Sequence, residues 1–227
     1  MGYEPCDADR EAAEDAFYEA AYEQVGPHWA QDHGMYFYED AIREFTAERL
    51  RSYYLAHPNL AAPAHESLQY AESLRVSFPR AALVFAVTAT ELAVKTALLK
   101  PIVFGLVHTE GVAAFVTDLT THHTGMERFQ HLLTEILARF GGVDLRSFKR
   151  ADSSKTLWEE IGEVQNARNY IIHRGECRSD DRADLAIAVA ATLLTKVLPN
   201  ILANLGLHLH PPMMVCGQPH PRDPNRR

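Results

Sequence analysis

The sequence predicts an all-α protein: a helical bundle with an N-terminal helical extension and a disordered C-terminal tail. Three observations lead there. Apolar residues recur at helical spacing in one window after another, Gly and Pro fall between those windows, and no stretch makes a convincing strand. Hydrophobic residues form 47% of the 227-residue chain, enough for a sizeable core. That length suits one domain plus an extension, or two small domains. We read residues 1–60 as an acidic helical extension, 61–206 as the bundle and 207–227 as a flexible tail rich in Pro, His and Arg.

Taken in order, residues 7–25 predict a helix capped by Asp7 or Asp9, with Phe17, Ala20, Ala21 and Gln24 at helical spacing and Gly26-Pro27 as the stop. A second helix runs from Tyr38 to about Ala56, with Ile42, Phe45, Arg49 and Tyr53 on one stripe and His57-Pro58 ending it. Residues 64–77 form an amphipathic helix with Leu68, Ala71 and Leu74 inward. Pro79 then suits the first turn of a helix from Arg80 to about Lys100, apolar on nearly every side and therefore central to the bundle. Pro101 ends or kinks it. Residues 112–124 are ambiguous, and Met126–Phe140 reads as an amphipathic helix closed by Gly141-Gly142. A further helix begins near Ser153, with Ser153 or Ser154 as cap and Leu157, Trp158, Ile161 and Val164 on its packing face. Gly175 stands where a C-cap glycine is expected. Asp180 or Asp181 caps the final helix, Arg182 to about Leu205.

The net charge of −8 is unevenly spread. Residues 1–50 hold 13 acidic and 3 basic side chains, so the remainder is close to neutral. A broad basic groove for nucleic acid is not indicated, no DNA partner is expected, and a local phosphate site stays open. Cys6, Cys177 and Cys216 are few, odd in number and far apart, which suits a reducing cytoplasm. Ala81–Val107 and Ala183–Leu207 are apolar, yet Glu91, Lys95, Lys100, Asp184 and Lys196 interrupt them. Charges near a bilayer centre are costly, so both stretches are expected inside the bundle and not in a membrane. His122-His123 has no companion Cys or carboxylate cluster and reads as a loop, with no metal or cofactor implied.

The stretch with chemistry in it is Arg168-Asn169-Tyr170-Ile171-Ile172-His173. At 3.6 residues per turn, Asn169 and His173 stack on one helix face, and the long Arg168 side chain reaches toward it. Metal-free cleavage of RNA needs a base for the 2′-OH, a cation for the charge growing on phosphorus, and a proton for the leaving oxygen. His173 can serve as base or acid. Arg168 offers a planar fork to phosphate oxygens, and Asn169 can hold a substrate oxygen or orient the imidazole. Arg174 and Arg178 can extend a phosphate track. The competing interpretation is structural: Arg168 pairs with Glu163 or Glu176, and His173 settles a helix end. Glu91 interrupts the most apolar helix and needs a partner. That partner is either Lys95, one turn on, or Arg168 or His173 across the bundle.

The Arg-polar-x₃-His spacing near the end of a long helix resembles the motif of the HEPN superfamily, small all-α domains that include metal-independent ribonucleases and toxins. The resemblance covers roughly residues 64–206. It implies catalytic roles for Arg168 and His173, support from Asn169, and a role for Glu91, since several HEPN families carry a Glu in the apolar helix ahead of the motif. It also implies a homodimer that supplies two histidines, and a 2′,3′-cyclic phosphate product. On this footing we expect a cytoplasmic endoribonuclease, with an antitoxin or regulatory protein as a further partner. The alternatives are a non-catalytic RNA- or nucleotide-binding module and a helical dimerisation scaffold.

Overall fold

The computed structural model describes residues 44–107, 142–174 and 181–218, together with Gly111, Ala113, Val116, Thr134, Leu137 and Ala138. The helix expected at 7–25, the segment 112–124 apart from Ala113 and Val116, Gly175, Arg178 and the end of the tail lie outside the described residues. Of the helix expected over 126–140, Thr134, Leu137 and Ala138 are described and helical, and Thr134 and Leu137 are buried. The chain divides into two compact units, Met1–Phe45 and Thr46–Arg227. All that follows concerns the second.

That unit is all-α apart from one short hairpin. We label its helices α1 (46–56), α2 (Ala62–Leu74), α3 (Pro79–Leu106), α4 (Leu157–Arg174) and α5 (Asp181–Asn204). The hairpin strands are β1 (His208–His210) and β2 (Met214–Cys216).

As its composition predicts, α3 is central and packs against α2, α4 and α5. Its first half meets them through small residues, with Ala82, Ala86, Ala71, Ala183 and Ala186 all buried in one cluster beside Leu83, Val87 and Val164. Its second half enters a larger core with Leu157, Ile161, Leu194 and Leu198. By length and composition α3 and residues Arg182–Asn204 of α5 could each cross a membrane, but most of the apolar window of each is buried inside the bundle, 61% and 56%.

Two expectations about boundaries are corrected. Leu50 and Tyr54 lie in the same core as α3 and α5, so residues 46–60 belong with the bundle and not with a separate extension. Arg49 donates to the carbonyls of Phe104 and Val107, closing the end of α3, and Gly105 is needed because a Cβ there would stand 2.8 Å from Leu50 Cγ. The tail expected from residue 207 begins instead as the hairpin, with Leu207 and Val215 buried and the Val215 N–H bonded to the Pro58 carbonyl at 2.9 Å. The Pro and His content of this segment masked its alternating apolar residues.

Pro101 neither ends nor interrupts α3. The turns ahead of it, Ala93–Leu99, widen into π-helix. A proline inside a helix cannot donate to the carbonyl four residues back and crowds it. For Pro101 that carbonyl is Ala97, and the buried Tyr54 hydroxyl donates to it at 2.8 Å. Burial pushes the Tyr54 phenol well above its ordinary range. In α5, Leu193–Val197 is likewise π-helical just before Pro199.

The start of α4 is held twice. Thr156 and Glu159 form a capping box: the Thr156 N–H donates to Glu159 Oε2 at 2.7 Å, and the Glu159 N–H to Thr156 Oγ1 at 3.3 Å. The cap is therefore Thr156, not Ser153 or Ser154. Arg150 donates to both oxygens of the buried Glu160, at 2.8 and 3.0 Å. Removing one partner of a buried pair strands the other charge, so Glu160→Ala should cost about 3–5 kcal/mol in urea unfolding. Thr156→Ala should cost about 1 kcal/mol. The Thr156 backbone N–H and hydroxyl hold the Glu159 carboxyl below its usual range. That contribution is present above the unfolded carboxylate pKa and fades as pH falls through the folded one. Glu159→Gln should therefore flatten the loss of stability below about pH 4.

Candidate functional site

The second half of α4 lies along α3, and this places the motif. Val164 and Ala167 are buried in the inter-helix cluster, so Arg168 and Gln165, on one flank of that stripe, sit at its edge. Arg168 Nη2 donates to Glu91 Oε1 in a short ion pair that crosses from α4 to α3. Gln165 Nε2 points to the same oxygen at 3.5 Å. Arg168 Nη1 donates to Asn169 Oδ1 at 3.1 Å. Glu91 thus finds its expected partner across the bundle in Arg168, and not in His173. The surface pairing considered for Arg168 does not form with Glu163, which instead pairs with Lys155 at 2.8 Å. Glu176 lies outside the described residues.

The Glu91–Arg168 pair is half-buried, with side-chain exposures of 26% and 23%. Solvent screens it less than a surface pair and desolvates it less than a core pair. It fixes a guanidinium at the mouth of the α3–α4 seam. Its geometry also orients Asn169, whose amide nitrogen makes no hydrogen bond among the described residues.

His173 lies one turn beyond Asn169 in the last turn of α4, exposed. It makes no hydrogen bond or ion pair among the described residues. A cation in this last turn is favoured by the helix dipole. Arg174 stands over the Tyr170 ring at 4.9 Å, a cation–π contact that holds it beside the site. Arg168, Asn169, Ile172 and His173 then share one arc, since 168 and 172, and 169 and 173, are four apart. Ile172 in that arc is 52% exposed.

The structure therefore brings Glu91, Arg168 and Asn169 into one hydrogen-bonded chain, with His173 a turn away and outside it. Gln165 was not anticipated. Its spacing of three from Arg168 was the available signal. No group of three or more His, Cys, Asp or Glu arranged for a metal occurs among the described residues. His122-His123 lies outside them.

A double-mutant cycle of Glu91→Ala and Arg168→Ala should give a coupling of about 1–2 kcal/mol, between the surface and buried limits. The exposed pair between Lys155, just ahead of α4, and Glu163 on it serves as the reference, with a coupling of about 0.5 kcal/mol or less. No family model matches the chain, and no curated protein and no solved structure shows significant similarity to it.

Proposed function

We propose that the chain is a metal-independent endoribonuclease of HEPN type, acting in the cytoplasm as a toxin or defence effector. The observation that carries the reading is the exposed imidazole of His173 set one turn from a guanidinium that is fixed by Glu91. In this reading His173 moves the proton of the 2′-OH or of the leaving oxygen. Arg168 stabilises the charge on the transferring phosphorus, and Asn169 holds a phosphate or sugar oxygen. The 2′-oxygen bonds to phosphorus as the 5′-oxygen leaves, giving a 2′,3′-cyclic phosphate and a 5′-OH.

One chain supplies one such imidazole, and the second proton transfer calls for another. The half-exposed Ile172 next to His173 supports a homodimer built on this arc, because an apolar side chain amid polar motif residues gains by burial against its own copy. A protein antitoxin or regulator that covers the same arc would silence the activity.

The second reading, a non-catalytic RNA-binding or dimerisation module, is favoured by a different observation. Two guanidinium nitrogens of Arg168 are already spent on Glu91 and Asn169, which lowers the positive charge offered to phosphate.

Single-stranded RNA incubated with the protein in EDTA separates the two. Under the first reading cleavage survives chelation, and His173→Ala and Arg168→Ala each slow it by about 10²–10⁴-fold. Equal activity in wild type and both variants would mean contamination and overturn it. Binding without cleavage, weakened by Arg168→Ala and by salt, establishes the module instead. Ile172→Glu should shift the protein from dimer to monomer in analytical ultracentrifugation and remove cleavage with it.

A further inference from the structure

A cavity of about 380 Å³ opens between the end of α1, the turn at 57–60 and the outer face of α3, within the size range of small-molecule sites. Its floor is aromatic. The Tyr53 and His57 rings stack at 4.2 Å with 20° between their planes, and Phe104 backs Tyr53 at 4.8 Å. His57 Nδ1 donates to the Tyr53 carbonyl at 3.0 Å, which fixes the imidazole orientation and leaves Nε2 free of that bond. On the α3 side, Leu92 gives an apolar wall, and Lys100 lies two turns further along the same stripe. The Lys100 ammonium takes no ion pair or hydrogen bond among the described residues. Across the mouth, the exposed Asn59 amide offers both donors and an acceptor.

A nearly parallel ring stack beside a point cation and one amide matches a single chemical class. A flat heteroaromatic ring extends the stack, a phosphate meets the ammonium, and the edge of the ring meets the amide. An alkyl chain would use the apolar wall but neither the stack nor the cation. We propose that this cavity binds one nucleotide of single-stranded RNA, with the base on the His57–Tyr53 stack, the phosphate at Lys100 and the base edge at Asn59. Leu92 directly follows Glu91, so the cavity and the Glu91–Arg168 pair share α3. The inference rests on the reading of the chain as one that handles RNA, and it adds a base-holding subsite to it.

Isothermal titration of the full-length protein with AMP, UMP and ribose 5-phosphate tests the cavity apart from any cleavage. AMP should bind about tenfold or more tightly than ribose 5-phosphate, because the stack recognises the base. His57→Ala should weaken AMP by about tenfold while His57→Phe keeps most of the affinity, which separates stacking from simple misfolding. Lys100→Gln should weaken AMP and flatten its salt dependence, leaving adenosine unchanged. Arg168→Ala should leave AMP affinity as it is. Ribose 5-phosphate binding as tightly as AMP, no saturable AMP binding, or His57→Ala without effect would each overturn the proposal. AMP binding through His57 in a protein that neither cleaves nor binds RNA would leave the cavity standing and remove the reading it rests on. Motif-dependent cleavage without AMP binding would do the reverse.

Discussion

A charge in the most apolar helix has to be answered. α3 is enclosed by α2, α4 and α5, and the free energy of the bundle comes largely from hiding its surface. Glu91 breaks that surface, and a carboxylate at a helix seam persists only with a partner. The partner is Arg168, and it can be reached only if α4 lies along α3 in one register, with Val164 and Ala167 in the seam and Arg168 at its edge. The pair is thus a registration device. It costs desolvation on both sides, and it sets the height at which the last turn of α4, with His173, projects from the bundle.

The prolines set a second constraint. Pro101 and Pro199 sit inside two long core helices, where each removes a backbone donor. In both helices the turns just before the proline widen into π-helix, and the chain continues. In α3 the carbonyl left over, that of Ala97, is buried, and α1 supplies the Tyr54 hydroxyl to it. This explains why residues 46–56 cannot be a loosely attached extension: they carry the donor that makes Pro101 tolerable. The widened segment also begins two residues after Glu91, so the same helix has regular geometry where it presents the carboxylate and relaxed geometry where it meets α1.

The helical class, the central place of α3 and the course of α5 were legible because they depend on apolar periodicity, which composition and spacing record directly. Glu91 was legible as an anomaly, and its partner was one of three candidates that sequence alone could not rank. The start of α4 was misplaced because two serines precede the Thr156-x-x-Glu159 box, and any of the three hydroxyls can cap in isolation. The hairpin was not legible: three-residue strands carry too little alternation to stand out, and Pro211-Pro212 belongs to a turn rather than to disorder. The continuity of α3 through Pro101 was hidden because the remedy comes from Tyr54, 43 residues before the Ala97 carbonyl it satisfies.

The geometry of Arg168 bears on how such a site would work. Its guanidinium shares donors between Glu91 and Asn169, so a phosphate arriving at the arc meets a cation that is oriented but partly neutralised. An oriented fork loses less rotamer entropy on binding than a free one. Ground-state attraction to a single phosphate is correspondingly weak, and the balance shifts as the phosphorus gains charge, since the more charged group competes better with Glu91 for the same donors. An arrangement of this kind spends little on holding RNA and more on the species formed during transfer. It therefore needs contacts elsewhere to hold the strand, and neither the nearly neutral surface nor the half-screened guanidinium supplies them. Base stacking does not depend on net charge, which makes an aromatic subsite on α1 and α3 the kind of contact a bundle with this charge balance would use.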